Sequence, residues 1–136
     1  MRNQRGFTYL GVLLAIALAS IGITAASELW VTTANRQKIS HLEWVGQQFV
    51  QAIGSYYEST PGRVKTYPPS MRDLLEDRRL AFTRRHLRQV YLNPFTGRDD
   101  WELVPAPGGG IRGVRAKTHT GAASTTLEFI YVPVKG

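Results

Sequence analysis

Several residue groups in this chain have types and spacing that bear on chemistry. Arg72, Arg78, Arg79, Arg84, Arg85 and Arg88 crowd one short stretch, and Arg112, Arg115 and Lys117 form a second basic group. Guanidinium groups at that density can contact nucleic-acid phosphates. Asp73, Glu76 and Asp77 lie inside the first group and can pair with it, which is the pattern of a solvated mixed-charge face. Asp99 and Asp100, followed by Glu102, offer carboxylates for a calcium ion, which takes about six to eight oxygen ligands. His41, His86 and His119 are dispersed, with no partner at zinc-ligand spacing. Gly108, Gly109 and Gly110 follow a proline and precede a strand-like segment, not the helix that a phosphate loop opens into. No Gly-x-Ser-x-Gly motif occurs. These patterns indicate neither catalysis by this chain nor a definite cofactor.

The elements that position these groups must come from 136 residues, enough for one domain. Setting aside the N-terminal third leaves roughly 80 residues for a globule, a size at which a hydrophobic core alone is marginal. With no cysteine, a disulfide scaffold is excluded. The net charge of +7 favours encounter with anionic partners: lipid surface, nucleic acid or acidic protein. Arg2 and Arg5 supply two of those charges at the N-terminus, so removal of residues 1–6 leaves +5.

Residues 6–27 contain no charge and are mostly Leu, Ile, Val, Ala or Phe, about the ~20 residues that span a bilayer as a helix. Arg2 and Arg5 precede the run and Glu28 follows it, which predicts a cytoplasmic N-terminus and an exported remainder. Small residues, among them Gly11, Ala15, Ala19 and Gly22, permit close helix approach. Three readings compete. One is a secretory signal peptide cut at Ala17-Leu18-Ala19. A plain single-pass anchor is another. In the third, a short leader is cut between Gly6 and Phe7 and the helix is retained.

Helical periodicity continues past Glu28. Ile39, Leu42, Val45, Phe49, Ile53 and Tyr56 recur at spacings of three and four, with no proline before Pro61. This predicts one helix over residues 7–57. Ser59-Thr60-Pro61-Gly62 ends it, and Tyr67-Pro68-Pro69 is extended. Ser70-Met71-Arg72-Asp73 reads as a capping box with Asp in place of Glu, opening a short helix through Leu74 and Leu75. A further helical turn or two is predicted over residues 83–91, with Leu87, Val90 and Tyr91 inward. Asn93-Pro94-Phe95-Thr96-Gly97 is a turn. Strands are predicted at 101–104, 111–117 and 125–134 as an antiparallel meander. The fold class is α+β: a long N-terminal helical stalk packed on a small antiparallel sheet. The divisions are 1–6 leader, 7–28 apolar half of the helix, 29–58 amphipathic half, and 59–136 head.

A basic leader ending in Gly6, then Phe7, a hydroxyl residue and an unbroken apolar helix resembles the signal of type IV pilins and type II secretion pseudopilins. The Tyr67-Pro68-Pro69 segment entering a Leu74-Leu75 helix, Tyr91-Leu92-Asn93-Pro94 and the aromatic strand at Trp101 resemble the major pseudopilin group. The resemblance implies cleavage after Gly6 by a prepilin peptidase and N-methylation of Phe7. It implies a structural, non-enzymatic subunit in the bacterial inner membrane, single-pass, with its N-terminus cytoplasmic and its head periplasmic, joining a periplasmic or surface filament. Its partners would be other pilin or pseudopilin subunits through the N-terminal helix, the inner-membrane assembly platform and membrane lipid. The family usually carries Glu at the fifth mature position, which here is Gly11, and this departure resembles minor subunits. In the pseudopilin group an Asp-rich C-terminal loop binds calcium; residues 118–126 here hold no carboxylate, leaving Asp99 and Asp100 as the calcium candidates. The alternative is a minor pilin of a DNA-uptake filament, contacting DNA through Arg78, Arg79, Arg84, Arg85 and Arg88.

Overall fold

A computed structural model describes the backbone of residues 5–120 and 123–134, and their side chains except those of residues 5–7, 21–29 and 120. The described elements are one long helix, one short helix and a three-stranded antiparallel sheet, an α+β arrangement. Helix α1 covers Arg5–Glu58. The chain divides into two compact units, Met1–Gln37 and Lys38–Gly136, and the boundary falls inside α1. Residues 38–58 of α1 thus belong to the same unit as the sheet.

In the first unit, residues 8–18 carry apolar side chains that are exposed all round the helix: Leu10, Val12, Leu13, Leu14, Ile16 and Leu18 are each between 47% and 65% exposed. Trp30 reaches 80%. Straight-chain and small residues favour helix here without any packed face. Among the described residues no helix is long and apolar enough to cross a membrane. The predicted apolar segment lies partly outside the described residues, at side chains 7 and 21–28, and the leader lies outside them at residues 1–4.

In the second unit, Leu42, Val45, Phe49, Ile53 and Tyr56 line one buried face of α1, as their spacing requires, with Ile39 half-buried at its end. This face meets Leu74, Leu87, Trp101, Ile111, Val114 and Ala116. Phe49 and Trp101 stack at a tilt with centroids 4.9 Å apart, and the Trp101 Nε1 donates to the Tyr91 carbonyl at 2.7 Å. Helix α2 (Met71–Leu75) starts at Ser70, whose backbone N–H donates to Asp73 Oδ2 at 3.1 Å; Asp thus serves in the capping box.

Strands β1 (Glu102–Pro105), β2 (Ile111–Thr120) and β3 (Ala123–Ile130) form a meander in the order β1-β2-β3. Arg115 sits opposite both Glu102 and Glu128 in register and pairs with each, at 3.5 and 3.1 Å, making an ionic rung across three strands. The alternate residues Val114, Ala116 and Thr118 turn inward. Beyond β3, Tyr131 continues the ladder through its N–H to the Arg112 carbonyl. Phe129 and Tyr131 lie directly on the backbone of α1 at Gly46 and Gly54; a Cβ at Gly54 would sit 2.6 Å from the Tyr131 ring.

Residues 83–91 are not helical, contrary to the sequence expectation. Asp77 and Arg84 exchange backbone hydrogen bonds of 2.8 and 3.0 Å as an isolated antiparallel bridge. The N–H groups of His86 and Leu87 then both donate to the Leu74 carbonyl, at 2.9 and 2.8 Å. Those donors are taken by tertiary acceptors, so the local helical bonds do not form. Leu87 is buried as predicted, but Val90 is 36% exposed.

Candidate functional site

The arginine-rich stretch wraps the C-terminus of α1, and the structure divides it into internal and external members. A helix end leaves its last carbonyls without partners and carries partial negative charge. The last turn of α1 contains no basic residue of its own. Cations arrive instead from later in the chain. Arg79 Nη2 donates to the Tyr56 carbonyl at 3.0 Å, and Lys65 Nζ donates to the Glu58 carbonyl at 2.6 Å. Thr60 Oγ1 adds a bond to the Tyr56 carbonyl and itself accepts from Arg79 Nη1 at 2.8 Å. The Arg79 guanidinium also lies 3.4 Å over the Tyr56 ring.

Asp77 holds Arg79 in that position. Its two carboxylate oxygens accept from Arg79 Nε and Nη2 at 2.9 and 2.8 Å, and the Arg79 backbone N–H adds a third bond. The Asp77 side chain is 1% exposed. The Arg79 hydrogen bonds keep its carboxyl well below the usual carboxylate range, against the raising effect of burial. His86, its side chain also buried, bridges Asp77 Oδ2 at 3.0 Å and Ser55 Oγ at 2.8 Å. Hydroxyl, imidazole and carboxylate thus stand in the order of a hydrolytic relay. Here the carboxylate is clamped by Arg79, and the relay ties α1 to the 77–86 segment.

Of the residues considered for anion contact, Arg79 is therefore engaged within the fold. Arg78 pairs with Glu76 at 2.9 Å on the surface, and Arg84 Nη1 donates to Ser59 Oγ at 3.2 Å. The Arg78 hydrogen bond lowers the Glu76 pKa, helped by the charges of Arg72 and Arg85. Arg72, Arg85 and Arg88 are exposed. Acid–base pairing inside this stretch was legible from Asp73, Glu76 and Asp77. The parts played by Ser55, Thr60 and His86 were not: Ser55 and Thr60 lie 24 and 19 residues before Arg79, and His86 has no metal or catalytic partner at motif spacing.

Asp99 and Asp100 are exposed, and Asp100 Oδ1 accepts from the Thr96 hydroxyl at 2.7 Å. Glu102 faces Arg115. Among the described residues no three His, Cys, Asp or Glu side chains group to hold a metal ion. At the N-terminus only the helical backbone of Gly6 and Phe7 is described. Gly11 has open space where a Cβ would project, so its helix surface is unobstructed at the position where the resemblance leads one to expect Glu. Against known proteins, no family model, no curated protein and no solved structure matches this chain.

Proposed function

We propose that the chain is a structural subunit of a membrane-assembled filament, of the pseudopilin or type IV pilin kind. The observation that carries this reading is the contrast along α1. Residues 8–18 present apolar side chains on every face, whereas residues 38–58 bury one face against a small sheet. A helix that is apolar all round belongs in a lipid or protein interior, and an amphipathic one belongs on a core. The uncharged run of residues 6–27, behind Arg2 and Arg5, supports membrane insertion with the N-terminus inside. On this reading the first half of α1 moves from bilayer to filament core. The sheet-bearing unit then presents its surface to neighbouring subunits and cargo.

With Gly11 at the fifth mature position, the uncharged run of residues 6–27 holds no carboxylate. An intramembrane charge is costly and is retained where it has a partner. Without one, insertion is easier, but the subunit contributes no ion pair to set its register, which fits a minor subunit better than the bulk one. The work of the chain is mechanical, and its processing enzyme is the prepilin peptidase. Co-expression with such a peptidase tests the reading. The chain loses residues 1–6, and Gly6→Leu stays full-length. Equal processing of both chains, or of neither, contradicts it.

A further inference from the structure

A shallow cavity of about 420 Å³ opens beside α2, lined by Arg72, Leu75, Glu76, Thr83 and Arg85. Next to it in the chain, Phe82 projects 70% exposed. Arg72 and Arg85 are exposed, while the carboxylate of Glu76 is taken by Arg78. The cavity therefore has surplus positive charge over an apolar and hydroxyl-bearing floor.

We propose that this depression docks an acidic, partly apolar peptide segment of a partner protein, with a carboxylate held between Arg72 and Arg85 and an apolar side chain over Leu75 and Phe82. Guanidinium groups recognise carboxylates through paired, geometrically defined hydrogen bonds. A nucleic-acid strand offers the same charge sign but in an unbroken run of phosphates. Asp73 and Asp77, in the neighbouring depression, interrupt the basic surface and oppose such a run, whereas a peptide can place its carboxylates selectively. Its position also matters. The site adjoins Thr83 and the 84–59 contact at the C-terminal end of α1, whereas Lys38, where the chain enters this unit, packs over Phe95. Twenty helical residues, about 30 Å, separate the two ends. The inference goes beyond the filament reading and stands without it.

Fluorescence anisotropy on the full chain in detergent micelles tests it. The probes are a labelled peptide alternating Glu and Leu, and an oligothymidylate of equal charge, each measured across a salt series. The peptide is expected to bind more tightly than the oligonucleotide. R72S/R85S should weaken peptide binding about tenfold or more, F82S should weaken it severalfold, and the exposed-site control R63S should leave it unchanged. R72E/R85E should switch preference to a Lys–Leu peptide, which keeps the test independent of any loss from serine substitution. Absence of peptide binding at low salt, tighter oligonucleotide binding, or an R63S effect equal to that of R72S/R85S overturns the proposal.

Discussion

Asp77 is the residue on which the organisation of the head turns. It is buried, it accepts from both Arg79 and His86, and through Arg79 it supplies the positive charge that the C-terminus of α1 lacks. Removing one partner of a buried pair leaves the other uncompensated, so Asp77→Ala should destabilise the unit by about 3 kcal/mol, read by urea unfolding. The pH dependence follows in sign. Its carboxyl is depressed in the folded state, so the stabilisation is complete above the unfolded-state value of about 3.9 and is lost as pH falls toward the folded value. Wild type should therefore lose stability between about pH 4 and lower values. Asp77→Asn should flatten that part of the profile; an unchanged profile counts against the clamp. At the other end of the titration range, burial and the hydrogen bond to Glu58 raise Tyr131 to about 12. Its phenolate signal should be the late phase of a spectroscopic titration and be missing in Tyr131→Phe.

At the scale of elements, the sheet is seated on α1 through two glycines. Phe129 and Tyr131, two residues apart, fall on the same face of the chain and occupy the room left at Gly46 and Gly54. Gly46→Ala gains up to about 1 kcal/mol of helix propensity but drives a methyl group into the Phe129 ring. Overpacking costs about 1–3 kcal/mol, so the net change should be destabilising. Phe129→Leu in the Gly46→Ala background should recover part of it, as a thermal-melt double-mutant cycle would show. An additive cycle contradicts the close seating.

Much at this scale was legible beforehand. The spacing of Leu42, Val45, Phe49 and Ile53 marked the buried face. Ser70 with Asp73 marked the start of α2, and glycine-rich breaks separated the three strands. The glycine seats were not legible, because Gly46 and Gly54 lie over 70 residues from the rings that fill them. Residues 83–91 misled for a similar reason: their spacing suits a helix, but the Leu74 carbonyl captures two of their N–H groups. Arg79 looked like one of several surface arginines. Only the fold brings it to the Tyr56 carbonyl, 23 residues away.

For the whole molecule, the two units of the chain differ in the environment that their surfaces require. One shows apolar side chains all round its helix over residues 8–18; the other closes a core and turns a mixed-charge surface outward. Without cysteine, and with a core of modest size, the second unit relies on buried polar clamps such as Asp77–Arg79 and on aromatic packing around Phe49. Contact with neighbouring subunits would add to its stability, as binding to the folded form always does. The proposed filament role thus makes the N-terminal helix both anchor and assembly element, and it requires that this helix survive maturation. Mass analysis of the N-terminal peptide from membrane-purified chain tests that requirement most directly. The filament account predicts a mature chain starting at N-methylated Phe7; a chain starting at Ser20 or later contradicts it.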